Sequence, residues 1–120
     1  MPESAKSLAL IVDDPDAPMG LWIHWVVWNI DPKLSRIETS DPLHGAVQGT
    51  NTNGNTSYGG PCPPSGTHRY FFKLYALDEV LSLPSTTTAD ALLRAMEGHI
   101  VDSAELMGLY QRIEQAVELV

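Results

Sequence analysis

Apolar residues along the front two-thirds of the chain come in short runs, and only near the end does their spacing lengthen to a helical period. Leu8-Ala-Leu-Ile-Val12 is a short buried strand within residues 7–12, closed by Asp13-Asp14-Pro15-Asp16-Ala-Pro18, where two prolines stiffen a turn and forbid the ladder to continue. Trp22-Ile-His-Trp-Val-Val-Trp-Asn-Ile30 is rich in β-branched and aromatic residues and reads as a second strand, with His24 near its start on the face of Val26 and Trp28. A third strand, 68–77, opens with His68 and Tyr70, which share a face because side chains two apart in an extended chain point the same way. Between the second and third strands runs a polar loop from Asp31 to Tyr58, in which Gly45-Ala-Val-Gln-Gly49 has room for a short strand or turn.

After Asp78 the texture changes. Pro84-Ser-Thr-Thr-Thr88 is a breaker followed by capping residues, and Leu92, Leu93, Met96 and Ile100 fall on one face of a helix capped by Thr87 or Thr88 and terminated near Gly98. The spacing of Leu106, Tyr110, Ile113 and Val117 predicts a second helix from Asp102 or Ser103. Strands first and helices last is the order of an α+β, mainly β chain: an antiparallel sandwich-like core with helices at its C-terminal periphery.

The 120 residues suit a single domain spanning 1–120, and 43% hydrophobic with 18% charged residues excludes global disorder. A net charge of −8, from seven basic and fifteen acidic residues, excludes a nucleic-acid partner and repels anionic membranes at long range. Any anion must therefore be captured by local donors. One cysteine, Cys62, allows no intrachain disulfide. The N-terminal residues lack a signal peptide's basic flank, and no run approaches the length of a transmembrane segment, so a cytoplasmic protein is expected.

The densest chemistry lies where Tyr58-Gly-Gly-Pro-Cys-Pro-Pro-Ser-Gly-Thr-His-Arg-Tyr70 enters the third strand, delivering the His68 imidazole and the Tyr70 phenol together beside a Gly/Pro loop. Asp14 and Asp16 close the first strand and His24 opens the second. If neighbouring strands are antiparallel, these groups share one sheet edge. Three carboxylates within Asp13–Asp16 repel one another unless a donor relieves them, and a histidine supplies that relief. The candidate set is Asp14, Asp16, His24, His68 and Tyr70. No standard metal-ligand spacing, Gly-x-Ser-x-Gly elbow or Gly-Lys-Ser/Thr phosphate loop is present, so neither metal, cofactor nor catalysis is expected. A hydrolase using His24 or His68 as general base is the enzymatic alternative.

Asp14-Pro-Asp-Ala-Pro18, Trp22-Ile-His24 and the run from Gly59 to Tyr70 resemble the two signature blocks of the phosphatidylethanolamine-binding protein family, in particular its bacterial and archaeal Raf kinase inhibitor-like branch. Ala104-Glu-Leu-Met-Gly-Leu-Tyr-Gln-Arg112 is similar to what is read as that branch's C-terminal helix, so the resemblance spans about residues 6 to 112. It implies a β-sandwich-like fold with a small anion pocket accepting phosphate, acetate or a phospholipid head group. Asp14, His24, His68 and Tyr70 would line it, and backbone around Gly60, Pro61 and Cys62 would complete the wall. The family also includes proteins that bind and inhibit kinases or proteases, which gives a protein-interaction module as a further alternative. Members of this branch usually carry additional early strands ahead of the segment matching Lys6. A chain without them exposes core and edges, so a homodimer is expected in which the partner's surface replaces those strands, helped by 113–120 as a further helical turn or two.

Overall fold

The structure is a computed structural model that describes residues 4–15, 22–33, 36–38, 46–52, 54, 68–110 and 116–118; at 22, 36–38, 68–70, 107–110 and 116–118 it describes the backbone alone. Of the four long strands, three come first, β1 (Ser7–Asp14), β2 (Trp22–Ile30) and β5 (His68–Leu77), with short β3 (Arg36–Glu38) and β4 (Val47–Gln48) between the last two. Helix α1 (Ala89–Met96) follows, then β6 (Ile100–Tyr110) and β7 (Ala116–Glu118). Five strands form one antiparallel sheet in the order β4-β2-β1-β5-β6, and β3 pairs with β7 in a second, two-stranded sheet.

β1 is central, paired with β2 on one side and β5 on the other, and all eight of its residues are buried. Its uninterrupted apolar run follows from that position, since both of its faces meet core. Leu8, Leu10, Val12, Trp25, Val27 and Leu74 pack on one face. On the other, Ala9, Ile11, Val26 and Trp28 meet Leu92 and Met96 of α1. The strand extends two residues beyond the expected boundary, taking in Asp13 and Asp14.

α1 forms where the sequence places it. The Thr88 hydroxyl accepts from the Ala91 amide at 3.5 Å, and Gly98 leaves the helix at φ +81°, a conformation glycine adopts without steric cost. Leu92 and Met96 are fully buried, whereas Leu93 faces outward.

Where a second helix is expected, the described residues are strand. Ile100–Tyr110 is a strand paired with β5 from Leu77 back to His68, Ile100 belongs to that strand rather than to the helical face, and Ala116–Glu118 is a strand opposite Arg36–Glu38. A spacing of four, as from Leu106 to Tyr110, satisfies the strand period of 2 as well as the helical period of 3.6, so the stripe could not choose between them. Long-range pairing with β5 then overrode the helical propensity of Ala104, Glu105, Leu106 and Met107. The class is mainly β α+β, with one short helix inserted between two neighbouring antiparallel strands. Among the described residues no helix is long and apolar enough to cross a membrane.

Candidate functional site

Because β1 runs antiparallel to both β2 and β5, its C-terminal end lies beside the N-terminal ends of its two neighbours. Asp14 ends β1 with Trp22 as its partner on β2. On the other side Asp13 is opposite Phe71, and the same register carried one residue on sets Tyr70 opposite Asp14. His68 lies two residues further along β5, at a position paired with Tyr110 of β6. The backbone positions of Asp14, His24, His68 and Tyr70 thus share one end of one sheet, with β2 and β5 two strand spacings, about 10 Å, apart. Asp16, Gly60, Pro61 and Cys62 lie outside the described residues.

His24 occupies an irregularity. Val12 pairs with Trp25 but Asp13 pairs with Ile23, so one step along β1 spans two on β2 and His24 is the inserted residue of a bulge. An inserted residue of this kind bends the strand and re-aims a side chain, a device found often beside functional sites. The His24 imidazole is buried, 6% exposed, as is Asp14 at the end of the adjacent strand.

Residues 49–52 hold this bulge from outside. The Gly49 amide donates to the Val26 carbonyl at 2.7 Å, the Asn51 side-chain amide to the His24 carbonyl at 3.2 Å, and the Thr52 amide to the Ile23 carbonyl at 3.0 Å. The Ile23 amide donates in return to the Thr52 hydroxyl at 2.7 Å. Gly49 has no substitute at this crossing, because a Cβ would stand 2.5 Å from both the Thr87 carbonyl oxygen and the Trp28 ring. Sequence reasoning missed Asn51 and Thr52, since a Thr/Asn-rich loop carries no sign of which member turns inward. Beside this latch, Ile23, Thr50, Asn51, Thr52, Thr88, Ala89 and Asp90 line a cavity of about 310 Å³; neither Asp14 nor His24, the candidates whose side chains are described, is among them.

Behind Asp14 the sheet has a different character. Asp13 is 3% exposed and one of its oxygens meets Lys73 Nζ at 2.9 Å, while the other, Oδ1, is buried without a hydrogen-bond partner. That hydrogen bond is the main reason the Lys73 ammonium titrates above its ordinary value, and burial pushes the Tyr75 phenol up. Among the described residues no group of three or more His, Cys, Asp or Glu side chains is placed to hold a metal ion.

Among the described side chains, this sheet end holds the buried Asp14 carboxylate, a hydrogen-bond acceptor, and the buried His24 imidazole, a ring able to donate. Comparison with known proteins gives this end a context. The family model described as phosphatidylethanolamine-binding protein matches residues 1–111. A UPF0098 protein of Methanothermobacter thermautotrophicus is 53% identical over 117 residues, covering 93% of this chain and 78% of that one. Among solved structures, a phosphatidylethanolamine-binding protein homologue from Chlamydia trachomatis superposes with a TM-score of 0.87 at 51% identity, covering 92% of this chain and 74% of that one. YbcL of E. coli, described as a new member of the mammalian family, gives 0.78 at 32% identity with the same coverage.

Proposed function

Because the chain belongs to the phosphatidylethanolamine-binding protein family, and so to a family of ligand-binding proteins, we propose that its ligand is a small anion: a phosphate group, free or carried by a phospholipid head group or a phosphorylated partner. The proposed pocket is the sheet end marked by Asp14, His24, His68 and Tyr70; the sequence adds Asp16, and the family resemblance the backbone of Gly60, Pro61 and Cys62, as candidates to complete it. The imidazoles and the Tyr70 hydroxyl donate to phosphate oxygens, each charged hydrogen bond contributing about 1.5–3 kcal/mol. Asp14 orients one ring. No catalytic role is assigned to these groups.

One observation supports this reading above the others: antiparallel pairing of β2, β1 and β5 brings residues 14, 24, 68 and 70, far apart in sequence, to one end of the sheet. With a net charge of −8 the chain does not steer anions from a distance, so these local donors must carry the affinity.

Thermal unfolding with and without inorganic phosphate tests it. Phosphate at ten times its Kd stabilises the folded chain by about 1.4 kcal/mol, or roughly 5 °C in Tm. His24→Ala and His68→Ala abolish that shift while unfolding cooperatively. An equal shift in both variants refutes the pocket. Glycerophosphoethanolamine, run in parallel, separates a head-group preference from one for free phosphate.

A further inference from the structure

β6 is the last strand of its sheet, and every residue from Ile100 to Leu106 is exposed. Its partners on β5 are not: Phe72, Leu74 and Ala76 are buried. Ile100 is 43% exposed, Val101 42% and Leu106 57%, so three of the five large exposed apolar side chains among the described residues sit on this one strand. A strand wet on both faces gains little from the core and is held mainly by its ladder to β5.

Natural sheets blunt such edges with lysine, proline or a bulge. β6 has one irregularity, at Val101, where the pairing shifts between Ala76 and Leu77. From Asp102 to Tyr110 the ladder is regular, with no Lys, Arg or Pro. Among the described residues no strand pairs with its outer side, so the edge can take up another strand.

Charge indicates what kind of strand. Asp102 and Glu105 are exposed on opposite faces of β6, and Asp78, Glu79 and Glu97 lie in the chain leading into it. Two basic side chains beside the strand already have acidic partners. Lys73, the register partner of Glu105, is 2.9 Å from Asp13, and His99 lies between Asp78 Oδ1 at 2.9 Å and Glu79 Oε1 at 3.4 Å. We infer that the β6 edge docks an extended segment of another protein that carries Lys or Arg on both faces and an apolar residue against Leu106, adding it as a sixth strand. Backbone hydrogen bonds give such docking its affinity and the side-chain pattern its specificity. A second copy of this chain, the homodimer expected from the sequence, is the rival occupant. Charge weighs against it, because both copies bring −8 and the same acidic edge. The inference does not depend on the anion pocket.

The test titrates the chain with a designed strand peptide that carries Lys on both faces and a single Val at the position facing Leu106, N-methylated along one edge so that it cannot stack on itself, and with a matching peptide in which Glu replaces Lys. Fluorescence anisotropy and amide hydrogen exchange over 100–106 are the readouts. The Lys peptide is expected to bind about tenfold more tightly than the Glu peptide, to weaken as salt rises, and to slow exchange along β6. The double charge reversal D102K/E105K is expected to invert the preference. Equal binding of the two peptides, unchanged exchange along β6, or a dimer whose β6 amides are already protected without peptide each overturns the inference. Should the double variant fail to fold, the exchange pattern of the unaltered chain decides alone.

Discussion

Lys73 Nζ meets Asp13 Oδ2 at 2.9 Å across the β1–β5 seam, a carboxylate 4% exposed paired with an ammonium 35% exposed. Asp13 and Asp14 are consecutive and both buried, yet strand alternation sends them to opposite faces of the sheet. One carboxylate is fixed by a lysine behind the sheet, and its neighbour belongs to the candidate anion site.

That pair makes stability fall in alkali. Lys73 titrates above its ordinary 10.5, first because of its hydrogen bond to Asp13, so its contribution is complete below 10.5 and is lost as pH rises through the higher folded value. Tyr75 is raised above 10.0, first by burial. The unfolded chain therefore ionises its phenol first, and stability falls in the same direction above pH 10. Urea unfolding at pH 8 to 11.5 is expected to show this decline, reduced in both Lys73→Met and Tyr75→Phe. At pH 7, Lys73→Met leaves a buried carboxylate without its cation and costs roughly 2 kcal/mol, below the range for fully buried pairs because Lys73 is a third exposed.

Asn29 is the only non-glycine residue with positive φ among the described residues, at 59°. It lies where β2 spans three residues against two of β1, between the pairs Leu8–Ile30 and Leu10–Val27. Its side-chain amide donates to the Leu81 carbonyl at 2.7 Å, and its side-chain oxygen accepts from the Leu81 amide at 2.8 Å, binding the start of the helical excursion to the sheet. Asn29→Ala adds backbone strain to the loss of both bonds and is expected to cost about 2–4 kcal/mol in urea unfolding. Asn29→Gly keeps the backbone conformation and is expected to cost less; the difference measures the strain.

Gly49→Ala is expected to destabilise by about 1–3 kcal/mol, because the added methyl meets a backbone carbonyl that cannot turn aside as well as the Trp28 ring. Movement of segment 49–52 away from β2 would also loosen the bonds to the Ile23 and His24 carbonyls, so hydrogen exchange at Ile23 and Thr52 is expected to quicken.

The sheet was legible in the sequence wherever composition and period agreed. Leu8–Val12, Trp22–Ile30 and His68–Leu77 are β-rich runs bounded by turn residues, and Thr88 and Gly98 mark the limits of α1. The shared sheet end was legible too, since it needed only antiparallel neighbours. β6 was not, because its residues favour helix locally and only pairing with β5 makes them a strand. The bulge at His24 was equally hidden: it exists only relative to β1, and a single run of sequence carries no register.

Asp13 and Asp14 separate structural support from ligand contact. Asp14→Asn keeps the shape of the side chain but removes the charge proposed to orient an imidazole, so phosphate affinity at pH 7 is expected to fall about tenfold. Asp13→Asn weakens the pair with Lys73 on the other face and is expected to lower the unfolding midpoint while leaving phosphate affinity within about twofold. Calorimetric titration with inorganic phosphate, with thermal unfolding of each variant alongside, reads both quantities. Equal loss of affinity in the two variants would mean that the sheet end binds phosphate through its integrity alone, and Asp14 would lose its assigned role. Loss in Asp14→Asn alone ties the anion to the face that β1 turns toward that residue.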